Sequence, residues 1–130
     1  MTNSSEFHLQ QFRGLLMSLN TAMPCEVLEY NPNTCRVKLQ PKFEVKELGK
    51  NPKKLPPIEN VPVLIQKFKM HSVSGEVIEM YPHLERGDIV QVVFNQRAID
   101  DALRSGGTVR PGAKRLFSIH DAVVVGVFKQ

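Results

Sequence analysis

The sequence predicts an all-β fold, namely a small closed β-barrel of the oligonucleotide/oligosaccharide-binding (OB) type with an N-terminal amphipathic helix. Three observations support this prediction. Short apolar segments alternate with turn signals along most of the chain, one segment alternates strictly between apolar and polar residues, and one helical stripe precedes them all. Several short strands, one long bent strand and a peripheral helix are typical of such a barrel.

The size and charge of the chain fit one globular domain. It has 130 residues, of which 42% are hydrophobic and 23% are charged, so a sizeable core is available. The net charge is +4, and part of it comes from a loop-like cluster of lysines at Lys46, Lys50, Lys53 and Lys54. Such a cluster is usually a solvated loop, and contact with nucleic acid is the less frequent alternative.

The first element is predicted to be a helix over residues 1–20, followed by the barrel domain over residues 21–130. Ser4 or Ser5 is suited to cap the helix, and Glu6 favours its positive end. One face carries an apolar stripe of Leu9, Phe12, Leu15, Leu16 and Leu19. A lone amphipathic helix packs either on its own barrel or on a partner chain, and the sequence leaves both alternatives open.

The next segment is a predicted hairpin. A strand over 23–30 and a turn over 31–34 lead to a long strand over 35–45, in which apolar and polar residues alternate at every position. This period-two pattern indicates one buried and one solvated face. Pro41 cannot donate to a β-ladder, so we expect it at an edge or a bulge where the strand bends.

The two cysteines are predicted to be free, buried thiols. A hairpin that turns at Asn31-Pro32-Asn33 places Cys25 opposite Leu39 and Cys35 opposite Glu29. The two sulfurs then share a face of the sheet without being paired, which argues against a disulfide.

The remaining elements are shorter. We expect, in chain order, a loop over 47–57, a strand over 58–68 interrupted by Pro62, a turn over 70–75, a strand over 76–80, a core strand over 89–94, a short helical segment over 99–104, a loop over 106–112 and closing segments over 117–119 and 122–128. In the turn before the core strand, Gly87 is predicted to take a positive φ and Asp88 to cap the turn.

Seven short motifs follow one another in a fixed order from Pro24 to Val127. None is specific alone, and their shared order and spacing carry the argument. They are Ala22-Met23-Pro24-Cys25-Glu26-Val27, Tyr30-Asn31, Val37-Lys38-Leu39-Gln40-Pro41, Val61-Pro62-Val63, the segment from Pro82 through Gly87-Asp88 to Phe94, Arg97-Ala98-Ile99-Asp100, and Arg115-Leu116-Phe117-Ser118-Ile119-His120-Asp121-Ala122.

In this order the motifs resemble the N-terminal OB domain of phage central-spike, or membrane-puncturing, proteins, which sit at the tip of contractile tails. The resemblance implies a homotrimer on the tail axis that contacts the tail hub, acts on the target cell envelope and resides at the baseplate of a virion or a tail-like particle. In that family a trimeric β-helix with a metal-holding tip follows the domain. Since this sequence stops at Lys129-Gln130, we expect no such β-helix here and a separate needle protein as a possible partner.

Two sets of contact residues are predicted. The trimer interface is expected to use the arm that follows the core strand and the last strand, and the hub contact is expected to use the helical stripe. The interface set is Arg97, Ile99, Leu103, Val123, Val125, Val127 and Phe128, and the hub set is Leu9, Phe12, Leu16 and Leu19. Arg97, Asp100 and Asp121 are also candidates for ion pairs between neighbouring loops or subunits.

Catalytic, cofactor and metal sites are not predicted. The four histidines, at His8, His71, His83 and His120, lack the close spacing of zinc ligands. If Ser118 to Asp121 were extended, Ser118 and His120 would share a face that Asp121 does not, which argues against a nucleophilic triad. The N-terminus does not resemble a signal peptide, so synthesis in the host cytoplasm is expected.

The main alternative function is binding of single-stranded nucleic acid, because OB barrels commonly bind it by stacking bases on exposed aromatic residues. The chain has no tryptophan and only two tyrosines, Tyr30 and Tyr81. Four phenylalanines, at 43, 94, 117 and 128, occupy positions where the pattern favours core. We therefore expect no nucleic-acid partner. A third class, a barrel adaptor in a bacterial complex, would assemble with other chains without forming a trimer.

Overall fold

The fold was analysed in a computed structural model that describes residues 3–45, 48–69, 71, 76–104, 106–110, 112 and 114–130. The protein is mostly β. The elements are α1 (Asn3–Ser18), β1 (Ala22–Asn31), β2 (Arg36–Pro41), β3 (Glu44–Val45), β4 (Lys53–Lys54), β5 (Ile58–Pro62), β6 (Gln66–Lys69), β7 (Val77–Met80), β8 (Ile89–Phe94), α2 (Asp100–Arg104), a 3-10 turn (Ile119–Asp121) and β9 (Ala122–Val127).

Five of the strands form one curled antiparallel sheet in the order β5-β2-β1-β8-β9. β1 lies at its centre, where Val27 pairs with Leu39 of β2 and Cys25 pairs with Val90 of β8. Burial alternates along β2 and β8, because successive side chains of a strand point to opposite faces. The buried residues of the central three strands are Cys25, Val27, Val37, Leu39, Pro41, Val90, Val92 and Phe94.

The curled sheet describes half a barrel. Beyond β5, the chain meets β9 through a single parallel bridge between Val63 and Val124, and Leu64 N donates to Val124 O at 3.1 Å. The remaining strands form two separate two-stranded hairpins, β3–β4 and β6–β7. The predicted β-rich class and N-terminal helix are therefore confirmed, and closure into an OB barrel stays a prediction.

The chain divides into two compact units. One comprises Met1–Thr21 and Phe94–Asp121, with both helices and the 3-10 turn. The other comprises Ala22–Val93 and Ala122–Gln130, with nearly all of the strand residues. The expected boundary between a helix over 1–20 and a barrel over 21–130 stays a prediction.

The long strand predicted over 35–45 is wrong in its second half. β2 ends at Pro41, and β3 belongs to a separate hairpin. Pro41 has no N–H to donate, and the pairing with β1 reaches only one residue further, where Lys42 N donates to Pro24 O at 3.2 Å. Phe43, predicted as core, is consequently exposed. Phe128 is exposed as well, because it follows the end of β9.

The predicted register of the first hairpin is also wrong. Cys25 pairs with Pro41 instead of Leu39, and Cys35 lies in the turn with a φ of 51° instead of opposite Glu29. The turn is longer than predicted, and a β-bulge follows between Val27 and Glu29. At Cys25 the resulting shift is an even number of residues, so the buried face is unchanged. Both cysteines are free, and burial raises the pKa of the Cys25 thiol to about 11.

The remaining predicted strands and helices agree with the structure, with one exception. The single strand predicted over 58–68 is divided into β5 and β6, which lie in different sheets. The strands over 76–80 and 89–94, the short helix over 99–104 and the final strand are confirmed within a residue or two. Of the predicted turn over 70–75 and loop over 106–112, residues 70, 72–75 and 111 lie outside the described residues.

The turn before β8 forms as predicted and completes the pairing of β1. Gly87 has a φ of 97°, and Asp88 Oδ2 accepts a hydrogen bond from Glu85 N at 2.8 Å. The turn continues the ladder beyond the paired residues, since Gly87 N donates to Val27 O at 3.0 Å and Val27 N donates to Asp88 O at 2.8 Å. Tyr30 adds a hydrogen bond from its hydroxyl to Pro82 O at 3.0 Å.

Replacement of Leu39 by alanine tests the buried face. Leu39 is fully buried between β1 and β5, so we expect the free energy of unfolding to fall by about 2–5 kcal/mol in urea titrations. Leu48→Ala is the matched control, since Leu48 is fully exposed and its loss should change stability by less than about 0.5 kcal/mol. Equal effects of the two substitutions would contradict the assignment of the core.

Candidate assembly surfaces and the Arg115 cluster

The N-terminal helix exposes its apolar stripe. All four predicted hub residues, Leu9, Phe12, Leu16 and Leu19, are exposed by 42–59%. Phe7 and Leu15 of the same helix are also exposed. A helix with this many exposed apolar side chains gains little from its own unit, so the stripe is suited to pack against another surface.

The end of β9 forms a second apolar surface. Ala122 and Val124 are buried, but from Val125 onward the strand is exposed on both faces. Of the predicted interface residues in this strand, Val123 is half-buried, whereas Val125, Val127 and Phe128 are about half exposed. Phe128 N donates to Ile89 O at 2.8 Å, which holds this end against β8.

A groove of about 220 Å³ runs beside this end of β9. Its walls combine strand β9 with the residues at the base of the β6–β7 hairpin. The apolar lining residues are Val63, Leu64, Met80, Tyr81, Leu84, Val124, Val125 and Val127. The groove and the exposed end of β9 are therefore one continuous apolar surface.

The β6–β7 hairpin adds to this surface and was not singled out from the sequence. Phe68 pairs with Ile78 across the two strands, and both are exposed, as are Val77 and Met80. Lys67 and Glu79 form an ion pair at 3.4 Å, and the Tyr81 hydroxyl donates to Glu79. These contacts lower the pKa of Glu79, with the Tyr81 hydrogen bond as the largest cause, and raise the pKa of Tyr81. Isolated two-stranded hairpins are marginally stable in water, which favours an external contact here.

A buried carboxylate organises the segment that follows β8. The Asp121 side chain is fully buried and accepts hydrogen bonds from Arg115 Nε at 3.1 Å and Arg115 Nη2 at 2.9 Å. It also accepts a weaker bond from Ile99 N at 3.3 Å. Arg115 Nη2 bonds Asp100 Oδ2 at 2.9 Å as well, so one guanidinium joins two carboxylates.

The charged groups of this cluster shift one another's pKa values. The Arg115 guanidinium lowers the pKa of Asp121, and burial opposes that effect only in part. The two carboxylates raise the pKa of Arg115 in turn. Because Asp121 O also accepts from Asn95 N at 2.9 Å, the same residue holds the segment to the end of β8. The cluster is therefore a structural clamp on this loop segment.

Within one chain, the cation that pairs with Asp100 and Asp121 is Arg115 and not Arg97, so the predicted pairing between neighbouring loops is wrong for Arg97, and its pairing across a subunit boundary stays a prediction. Arg97 is exposed and lies in an isolated antiparallel bridge with Leu116. Ile99 is half-buried, and Leu103 is exposed on α2. Arg115 was part of the last motif in the sequence, but its pairing depends on how the loop folds back. The assignment of Arg97, Ile99 and Leu103 to a trimer interface stays a prediction.

Comparison with known protein families decides the family. A model of the phage protein Gp138 N-terminal domain matches residues 23–126. The chain belongs to this family. No curated protein matches the sequence at a significant level. The family match confirms the expected phage protein family. The matched residues extend from β1 to Gly126 of β9, so they include most of the central sheet, most of the groove beside β9 and the Arg115 cluster.

The described part of this phage protein domain was searched for metal-ligating clusters and for a nucleophile beside a base. Among those residues, no group of three or more His, Cys, Asp and Glu side chains could hold a metal ion. Ser118 Oγ accepts a hydrogen bond from His120 N at 3.2 Å, and Asp121 faces Arg115. No helix in the same described part is long and apolar enough to span a bilayer.

Replacement of Asp121 by asparagine tests the clamp. Because Arg115 loses a buried partner but stays partly exposed to water, we expect a loss of about 1–3 kcal/mol in the free energy of unfolding. Asp100→Asn is the matched control, since Asp100 is exposed and its loss should cost less than about 1 kcal/mol.

The same variant carries a pH signature. The pKa of Asp121 is lowered in the folded state, so its contribution to stability is present above the unfolded pKa of about 3.9 and is lost as pH falls through the folded value. The stability difference between the parent and Asp121→Asn should be constant from neutral pH to about pH 5 and should narrow below about pH 4. A difference that widens in acid would contradict the clamp.

Proposed function

We propose that this protein is a structural component of a contractile phage tail or tail-like particle, forming the central spike or its collar at the baseplate. Its membership of a phage protein family over most of its length is the observation that carries the proposal. The order of motifs that resembles central-spike proteins supports the finer assignment. In this role the domain is not an enzyme and acts by shape and assembly.

The barrel is proposed to close as an OB fold. Five strands is the number in an OB barrel, and the Val63–Val124 bridge supports closure because it links the two edge strands of the sheet. A closed barrel removes exposed sheet edges and gives a stiff body. Stiffness matters here because the proposed action is mechanical: sheath contraction drives the tube, and a rigid spike concentrates that force on the target cell envelope.

The proposed assembly is a homotrimer on the tail axis. Val125, Val127 and Phe128 provide an exposed apolar surface beside the groove, and protein interfaces commonly combine an apolar centre with a polar rim. A ring of three identical chains uses two different surfaces of each chain, which continue around a closed axis. A separate needle protein is the proposed source of the piercing tip.

The α1 stripe is proposed to contact the tail hub. Its apolar residues are exposed and follow helical spacing, as in helices that dock into a groove of a partner. This assignment separates the two assembly functions, since the helix serves the hub and the end of β9 serves the trimer.

Binding of single-stranded nucleic acid is the alternative function, and the basic face of β2 is the feature that would serve it. Two contacts weaken this alternative. Lys38 is paired with Glu59 at 3.3 Å, and Arg36 donates to Asn60 O at 3.4 Å. The shallow pocket beside these residues has Glu29 among its lining and no aromatic side chain. Base stacking, which OB barrels use, therefore has no platform there.

Light scattering tests the trimer. We expect a mass of three chains for the parent, because the apolar end of β9 in each chain is buried against a different surface of the next chain in the ring. Val125→Asp combined with Val127→Asp should shift the mass to one chain while the circular dichroism spectrum is retained. Leu48→Asp, at an exposed leucine away from this surface, is the control and should remain trimeric. A monomeric parent that binds single-stranded DNA in a salt-dependent manner would overturn the proposal.

A pull-down with the tail hub protein tests the helix. Deletion of residues 1–20 should leave a folded sheet that no longer captures the hub, and Leu9→Asp with Leu16→Asp should do the same in the full chain. Gln10→Asp with Gln11→Asp is the matched control, because both glutamines are exposed polar residues of the same helix. Undiminished capture by the truncated protein would show that the hub contact lies elsewhere.

A further inference from the structure

The β3–β4 hairpin combines a high positive charge with an exposed apolar tip. Residues 42–54 contain five lysines against two glutamates. In the structure, the side chains of Lys42, Lys50, Lys53 and Lys54 are all exposed. Neither the proposed trimer contact nor the hub contact uses this positive segment.

The tip of the hairpin presents Leu48 to solvent. Leu48 is fully exposed, and Phe43 near the base of the hairpin is 59% exposed. Gly49 follows Leu48 with a φ of 76°, a conformation that glycine adopts without strain. The turn therefore projects a leucine away from the sheet, where it has no packing role in the fold.

Both legs of the hairpin are held at its base. Lys42 N donates to Pro24 O of β1, and Gln40 Nε2 donates to Leu55 O at 2.7 Å. Three prolines, at positions 52, 56 and 57, restrict the backbone of the returning leg. The lysines and Leu48 are thus presented on a restrained scaffold, which lowers the entropy lost when a ligand binds.

We propose that the β3–β4 hairpin is a peripheral docking site for an anionic lipid bilayer. Leu48 enters the boundary between the headgroups and the acyl chains, and the surrounding lysines contact the lipid phosphates. Charge complementarity favours an anionic surface, and each lysine near such a surface adds to the attraction. The apolar tip favours lipid over nucleic acid, because a leucine gains from leaving water and has no base edge or phosphate to bind.

Tryptophan fluorescence gives a direct test, because the chain contains no native tryptophan. In the full-length protein, Leu48→Trp should show a blue shift of its emission on addition of phosphatidylcholine vesicles that contain phosphatidylglycerol. Pure phosphatidylcholine vesicles should give a much smaller shift. Leu116→Trp is the matched control, since Leu116 is another exposed leucine and belongs to neither predicted contact set, and its emission should not change.

Sedimentation with the same vesicles separates the two contributions. Lys53→Glu with Lys54→Glu should weaken binding by about tenfold or more, and Leu48→Ser should weaken it by roughly tenfold. Lys114→Glu with Lys129→Glu and Leu116→Ser are the controls and should bind as the parent does, since these residues are exposed outside the hairpin. Unchanged urea midpoints verify that the variants are folded.

Two results would overturn the proposal. One is the absence of sedimentation with phosphatidylglycerol vesicles. The other is binding that survives Leu48→Ser undiminished and is matched by retention on single-stranded DNA, which would make the hairpin a general polyanion site. The trimer and hub experiments do not involve lipid, so failure here leaves the proposed tail function untouched.

Discussion

The buried face of the five-stranded sheet is the constraint on which the rest of the structure depends. β1 is paired on both sides, and its Cys25 and Val27 are fully buried. A shift by one residue would expose every buried side chain of a strand. The bulge after Val27 and the turn at Gly87 maintain the pairing on either side of β1 while keeping that face inward. The two small hairpins are connected to strands of this sheet, and the last strand forms one of its edges.

The same constraint explains why so much apolar surface remains outside. The core is filled by short residues of the central strands, mostly valines. The leucines of α1, the valines at the end of β9 and the apolar residues of the β6–β7 hairpin are exposed instead. Monomeric proteins rarely expose large contiguous apolar patches, so these surfaces are suited to contact other chains.

The Arg115 cluster differs from the other ion pairs of the protein. Lys38–Glu59 and Lys67–Glu79 lie at the surface, where water screens the attraction and the gain is small. Asp121 is fully buried, so its charge requires the guanidinium and the backbone donors around it. One residue thereby positions the loop after β8 and the start of α2. A single buried carboxylate accordingly has more structural influence than several exposed pairs.

The sequence by itself determined the elements whose signal is local. Period-two alternation predicted β2, a near-continuous apolar run predicted β8, the leucine stripe predicted α1, and Gly87-Asp88 predicted the turn before β8. The order of motifs also predicted a phage protein family. Only the tertiary structure decided which residues meet across space. The first turn and the bulge set the register of β1 and β2, the pairing of β2 with β1 stopped just after Pro41, and the folding of the loop brought Arg115 instead of Arg97 to Asp121. These outcomes depend on how the backbone folds back on itself in space, which the local pattern of residues does not contain.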